Sequence, residues 1–186
     1  MQRRPKKQHE ERVMQAKLLM VLAITLASLI GCSGKSSDTG SVPSNEPSVA
    51  FVKTQDGSPL EIKVDLFDTP AAKKFSATGK NSYIGNADAI AQGKKLFQMY
   101  SCTQCHGGDA QGQTGPSLHG PDFHYAKNAT NKGMFETIWN GTNGGMGAKG
   151  KGLMDPTDAT NGLTPDNVLQ IQAWIRSHND KLTGNE

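Results

Sequence analysis

Cys102, Cys105 and His106 belong to the pentapeptide Cys-Thr-Gln-Cys-His, whose residue types and spacing specify a chemistry. Two cysteines three positions apart can form thioether bonds to the two vinyl groups of one haem. The adjacent histidine is then carried beneath the iron as its proximal ligand. The motif occurs once in the sequence. It therefore predicts one covalently bound haem c.

Two other uses of a Cys-x-x-Cys pair compete with this interpretation. A structural zinc site needs four nitrogen or sulfur ligands, and only His119 and His124 lie nearby to complete one. A thioredoxin-like redox pair belongs in a strand-helix-strand setting, which the sequence does not offer. The pattern favours haem over both.

The segment Gly115-Pro116-Ser117-Leu118 follows the motif after a short interval. It resembles a segment of class I c-type cytochromes in which the proline carbonyl accepts a hydrogen bond from Nδ1 of the proximal histidine. Such a bond would fix the imidazole ring of His106 and raise its basicity. The alternative interpretation is a simple turn at Pro116.

Several methionines and histidines downstream of the motif could supply the sixth iron ligand. Met146 stands in the loop Asn143-Gly144-Gly145-Met146-Gly147, where glycines allow a close approach to a haem face and a thioether suits electron transfer. Met154 is the second candidate, and a histidine is the third. Met134 lies on the apolar side of a predicted helix, which favours core packing. The histidine candidates are His119, His124 and His178.

The elements that position these residues are predicted to be helices. Asn86 can cap a helix that runs to Tyr100, and Thr164-Pro165 starts one that runs to about His178. The predicted helices are Ala71–Ala77, Asn86–Tyr100, Asn131–Asn140 and Pro165–His178. Before them, Glu61–Phe67 alternates apolar and polar residues, which predicts a short strand.

The first 31 residues have the features of a signal peptide of the lipoprotein type. Six basic residues precede the 13-residue run Leu18–Ile30, which is too short to span a bilayer comfortably. The run ends in Leu-Ile-Gly-Cys, which resembles a bacterial lipobox and predicts lipidation of Cys32. The alternative is an ordinary secretory signal that leaves Cys32 as a free thiol. Residues 32–50, rich in Ser, Gly, Thr and Pro, then form a flexible tether, and residues 51–182 form the haem domain. The predicted location is the periplasm, with a lipid anchor in a membrane.

The formal charge of +3 is concentrated in the signal segment. Six of the 20 basic residues but only two of the 17 acidic residues lie before residue 32, which leaves 14 basic and 15 acidic residues after it. The pairs Lys73-Lys74 and Lys94-Lys95 are isolated and form no basic stripe. The sequence therefore predicts no nucleic-acid partner.

Beyond the haem motif, the chain resembles cytochrome c-L, the periplasmic electron acceptor of quinoprotein methanol dehydrogenases. The resemblance covers about residues 51–177. The segments that carry it are Thr78–Tyr83, Cys105–Gly112, Gly115–Leu118, Ala129–Ile138, Asn143–Gly147, Leu163–Asp166 and Ala173–Arg176.

The resemblance implies a mainly α, class I cytochrome c fold, with three main helices around one covalent haem and a short N-terminal extension. It implies that Cys102 and Cys105 bind haem, that His106 is proximal and that Met146 matches the family's methionine ligand. Two departures are visible. Gly145 stands where the family often has a second methionine, and Lys149–Asn161 is longer than the usual link.

The function implied is electron transfer without bond-making chemistry, and the sequence shows no recognisable catalytic constellation. The expected donor is a pyrroloquinoline quinone methanol or alcohol dehydrogenase, and the expected acceptor is another c-type cytochrome or an oxidase. Two alternatives remain open at this stage. They are a membrane-tethered donor to a terminal oxidase, and a haem enzyme or gas sensor with an open sixth site.

Overall fold

The computed structural model describes residues 49–179 and residue 182. The fold in this part of the chain is mainly helical, as predicted, with short 3-10 turns at Val64–Leu66 and Ala126–Ala129. The α-helices are α1 (Pro70–Thr78), α2 (Ala87–Met99), α3 (Thr103–His106), α4 (Asn131–Asn140) and α5 (Pro165–Arg176).

Hydroxyl and amide side chains cap the predicted helices at their N-termini. Thr69 accepts from Ala72 N at the start of α1, and Asn86 accepts from Ala89 N at the start of α2. Thr164 caps α5 and is followed by a proline at the first helical position. The predicted positions of these helices are confirmed. However, α5 ends at Arg176, two residues before the predicted end.

The predicted strand over Glu61–Phe67 is wrong. Residues 64–66 form a 3-10 turn instead, and the side chain of Val64 is 84% exposed. An isolated strand is stable only when another strand pairs with it. The described residues contain two isolated β-bridges, Val52 with Pro59 and Gly150 with Leu163, and neither offers an edge to residues 61–67.

The crossing of α2 and α5 forms the centre of the fold. A Cβ atom on Gly93 would lie 2.0 Å from the carbonyl oxygen of Gln170, so only glycine allows this helix approach. The rings of Phe97 and Trp174 pack across the crossing with centroids 4.6 Å apart.

The N-terminal part of the described chain packs on α4. Its segment 51–60 folds back on itself, with Leu60 N donating to Phe51 O at 2.9 Å, and we call it the N-terminal hairpin. Phe51 of the hairpin and Phe75 of α1 both pack on Phe135 of α4, with ring centroids 5.3 and 4.8 Å away. This cluster fixes α4, which supplies one wall of the site described below.

Two segments that carry the family resemblance meet in space. Tyr83 Oη donates to Asp166 Oδ1 at 2.8 Å, and Thr69 Oγ1 donates to the same oxygen at 2.6 Å. The start of α1, the turn before α2 and the start of α5 are thereby joined at one carboxylate.

The predictions of a signal peptide over residues 1–31, of lipidation at Cys32 and of a tether as far as residue 48 lie outside the described residues. Between residues 49 and 179, the longest helix has 13 residues, and no helix there is long and apolar enough to cross a membrane.

Candidate haem site

The short helix α3 carries the Cys-x-x-Cys-His motif. His106 N donates to Cys102 O at 3.0 Å, which makes the five residues a single helical turn. Gly107, with φ +79°, ends this helix because the left-handed region suits glycine. Cys102 is half-buried and Cys105 is exposed, and the two cysteines form no disulfide bond. Burial raises the pKa of the Cys102 thiol above its ordinary value.

A partly open cavity lies beside this turn. Cys102 and His106 line it from the motif, and Met146 lines it from the glycine-rich loop. Cys105 is not part of its wall. The remaining lining residues are Phe97, Leu118, Asn128, Met134, Thr137, Ile138, Ile171 and Ile175. The wall is therefore almost entirely apolar, as a haem pocket requires.

The imidazole of His106 is oriented by a backbone carbonyl. Its Nδ1 lies 2.8 Å from Pro116 O. A carbonyl can only accept a hydrogen bond, so Nδ1 carries a proton, and in the neutral imidazole Nε2 then keeps its lone pair for a metal. A Cβ atom on Gly115 would lie 3.1 Å from His106 Cε1, so a glycine here lets the Pro116 turn approach the ring closely.

The structure brings Met146 and Met134 to the cavity, and it does not bring Met154 there. Met146 is partly buried in a loop whose base is closed by the hydrogen bond from Thr142 N to Met146 O at 2.8 Å. Met134 is 3% exposed and lies within the packed core on α4. Met154 belongs to the turn after Gly150, outside the cavity wall.

The three histidine candidates for the sixth ligand also lie outside the cavity wall. His119 Nε2 lies 2.6 Å from Asp109 O, and its ring stacks on His178 with centroids 5.0 Å apart. His124 packs edge-on against Tyr125. Among the described residues, no group of three or more His, Cys, Asp or Glu side chains could hold a metal ion. The zinc alternative therefore finds no support in this part of the chain.

Asn128 and Thr137 are polar residues of the cavity wall that the sequence did not single out. Thr137 Oγ1 donates to Asn128 Oδ1 at 2.7 Å, which fixes the amide of this buried asparagine. Asn128 Nδ2 donates to no described residue. A haem carries two carboxylates, so a fixed amide donor in an otherwise apolar wall fits that group. No local pattern distinguishes Asn128 from the other asparagines in the sequence.

A family model described as Cytochrome c matches residues 90–179 of the chain. Together with the helical fold and the histidine at the cavity, this match defines the class as c-type cytochromes, in which haem c is bound covalently.

Individual relatives narrow the class. Cytochrome c-L of Methylorubrum extorquens is 40% identical over 131 residues, which are 69% of this chain and 61% of that protein. Cytochrome cL of Methylophaga aminisulfidivorans matches with a TM-score of 0.59 and 37% identity, over 69% of this chain and 80% of that chain. Cytochrome cL of Hyphomicrobium denitrificans matches with a TM-score of 0.58 and 36% identity, over 69% and 73% of the two chains. The chain belongs to the cytochrome c-L family.

Proposed function

We propose that this protein is a monohaem electron carrier that accepts electrons from a quinoprotein methanol dehydrogenase. The observation that carries the proposal is the His106 imidazole, held by Pro116 O with its Nε2 available for iron, beside a cavity that Met146 also lines. Haem supplies one-electron redox chemistry through the valence of its iron. The protein supplies attachment, axial ligands and an apolar wall.

Cys102 and Cys105 are the proposed thioether residues, and His106 and Met146 are the proposed axial ligands. Met146 is preferred to Met134 because its side chain is only partly buried, on a loop that can adjust to a haem face. The Met134 side chain is fixed among the buried residues of α4. A histidine and a thioether together give the low-spin iron typical of electron transfer.

The proposed donor rests on membership of the cytochrome c-L family and on the resemblance of the segments given above. The test mixes ferric holoprotein with a quinoprotein methanol dehydrogenase and follows haem reduction by absorbance, with and without methanol. We expect reduction that requires both methanol and the dehydrogenase at physiological salt. The absence of reduction under those conditions would overturn this donor.

We further propose that the mature protein is held at a membrane on the periplasmic side by a lipid on Cys32. The lipobox-like sequence Leu-Ile-Gly-Cys supports this proposal. The full chain, expressed in a bacterial host fed labelled palmitate, should incorporate label and sediment with membranes. Cys32→Ser should abolish both. A wild-type chain that carries no label would contradict the anchor.

A further inference from the structure

The loop that carries Met146 has few attachments to the rest of the described chain. Thr142 N donates to Met146 O, and Gly144 N donates to Thr142 Oγ1, both inside the loop. Among the described residues, one hydrogen bond connects positions 142–147 to a residue outside them. In that bond Asn143 Nδ2 donates to Gln55 O at 3.0 Å.

The side chain of Gln55 also binds the end of α4, immediately before the loop. Its Nε2 donates to Asn140 O at 2.7 Å, and its Oε1 accepts from Asn140 Nδ2 at 2.7 Å. The carbonyl of Asn140 has no partner within its own helix, because it belongs to the last turn. Gln55 therefore caps α4 and holds the loop through one side chain and one carbonyl.

The N-terminal hairpin, which carries Gln55, is itself bound to α4 by other hydrogen bonds. Val52 N of the N-terminal hairpin donates to Glu136 Oε1 at 2.8 Å, and the hydroxyls of Thr54 and Thr137 lie 3.1 Å apart. Glu136 is 1% exposed, so this attachment lies in the core. The hairpin thus runs along one side of α4 and ends at the methionine loop.

We propose that Gln55 is a positioning residue for the Met146 ligand. It joins the end of α4 and the methionine loop to the N-terminal hairpin, and it thereby limits the motion that would carry the thioether away from iron. The proposal rests on the proposed ligation by Met146. It assigns a role in the haem site to a residue of the N-terminal extension, about 90 positions before its target in the sequence.

The test measures how readily imidazole displaces the methionine in the ferric holoprotein, followed by loss of the methionine-to-iron charge-transfer band. Gln55→Ala removes two partly buried hydrogen bonds, and we expect its imidazole affinity to rise about tenfold. Asn140→Ala removes only the bond from Asn140 Nδ2 to Gln55 Oε1, because the Asn140 carbonyl remains, and it should give a smaller rise. The double variant should not exceed Gln55→Ala by much, because Gln55→Ala already removes the bond that Asn140→Ala breaks.

Lys53→Ala is the matched control, since the Lys53 side chain lies on the same hairpin and makes no described hydrogen bond or ion pair. Its imidazole affinity should match wild type. The thermal unfolding temperature of the Gln55→Ala variant shows whether the substitution acts on the position of Met146 or on the stability of the whole domain. A lower unfolding temperature with unchanged imidazole affinity would overturn the proposal. A band that persists in Met146→Ala would instead show that the proposed ligand is wrong, whatever Gln55 does.

Discussion

Replacing Gly93 with alanine perturbs the helix crossing on which the haem site is built. The added Cβ would lie 2.0 Å from Gln170 O, 2.6 Å from the Gln170 carbonyl carbon and 3.1 Å from Ile171 N. Real Cβ atoms essentially never approach other atoms within 3.0 Å. All three neighbours are backbone atoms, so α2 and α5 must separate by about 1 Å to accommodate the methyl group.

The magnitude follows from three contributions. Overpacking a tight contact costs about 1–3 kcal/mol, and a clash with backbone atoms belongs at the upper end. Moving Phe97 from Trp174, whose ring centroids lie 4.6 Å apart, costs up to about 1 kcal/mol more. Because alanine has a higher helix propensity than glycine, the substitution also stabilises α2 by about 1 kcal/mol. The net loss in the free energy of unfolding is about 3 kcal/mol, or a fall in Tm of roughly 10 °C for a domain of this size.

The assay is thermal unfolding of the holoprotein, followed by far-UV circular dichroism. Gly108→Ala is the control, because a Cβ atom there meets nothing within 4 Å and its φ is not positive. Its Tm should stay within about 2 °C of wild type. If Gly93→Ala unfolded at the wild-type temperature, the close approach of α2 and α5 would be refuted.

Three further predictions concern the surroundings of the site. Gly115→Ala should push the Pro116 turn away from His106 and so weaken the hydrogen bond from His106 Nδ1. We expect the reduction potential of the haem to rise by up to about 40 mV in a redox titration. An unchanged potential would contradict this prediction. Glu136→Gln should lower the free energy of unfolding, measured by urea denaturation, by about 2–3 kcal/mol, because the partly exposed Lys127 and Lys132 lose their buried carboxylate partner. A loss below about 0.5 kcal/mol would contradict this role of Glu136. The hydrogen bond from the Thr157 hydroxyl holds the pKa of the Asp155 carboxyl below its ordinary 3.8. The stabilisation that this hydrogen bond gives the folded state is therefore present above pH 3.8 and is lost as the pH falls through the lowered pKa. Carbon-detected NMR should find that lowered pKa and its return toward 3.8 in Thr157→Val, whereas a wild-type value of 3.8 or higher would refute the assignment.

Local signals in the sequence predicted most of the helical framework. The caps Thr69, Asn86 and Thr164 act over three or four residues, so they can be read without knowing the fold. The strand prediction failed because alternation describes one face of a strand but says nothing about a neighbour to pair with it. Ile62 and Leu66 are both partly buried, as the strand prediction required, but a turn can also place two residues at this spacing against the core.

The candidate site was predictable where its residues adjoin in sequence. The haem motif and the Pro116 turn fall within 15 residues, and their geometry follows from local chain constraints. Asn128 and Gln55 could not be found in this way. Their contacts join positions 9 and 85 residues apart, and a polar side chain that meets a distant partner leaves no periodicity in the sequence.

The ferric near-infrared spectrum tests the central claim most directly, alongside haem quantitation of the same sample. The proposed His106 and Met146 ligation predicts one haem per chain and a low-spin spectrum with the weak methionine-to-iron charge-transfer band. Met134→Leu, the matched control from the same cavity wall, should keep this band, and Met146→Ala should lose it. A band that persists in Met146→Ala, or a high-spin wild-type spectrum with ready carbon monoxide binding in the ferrous form, would contradict the account.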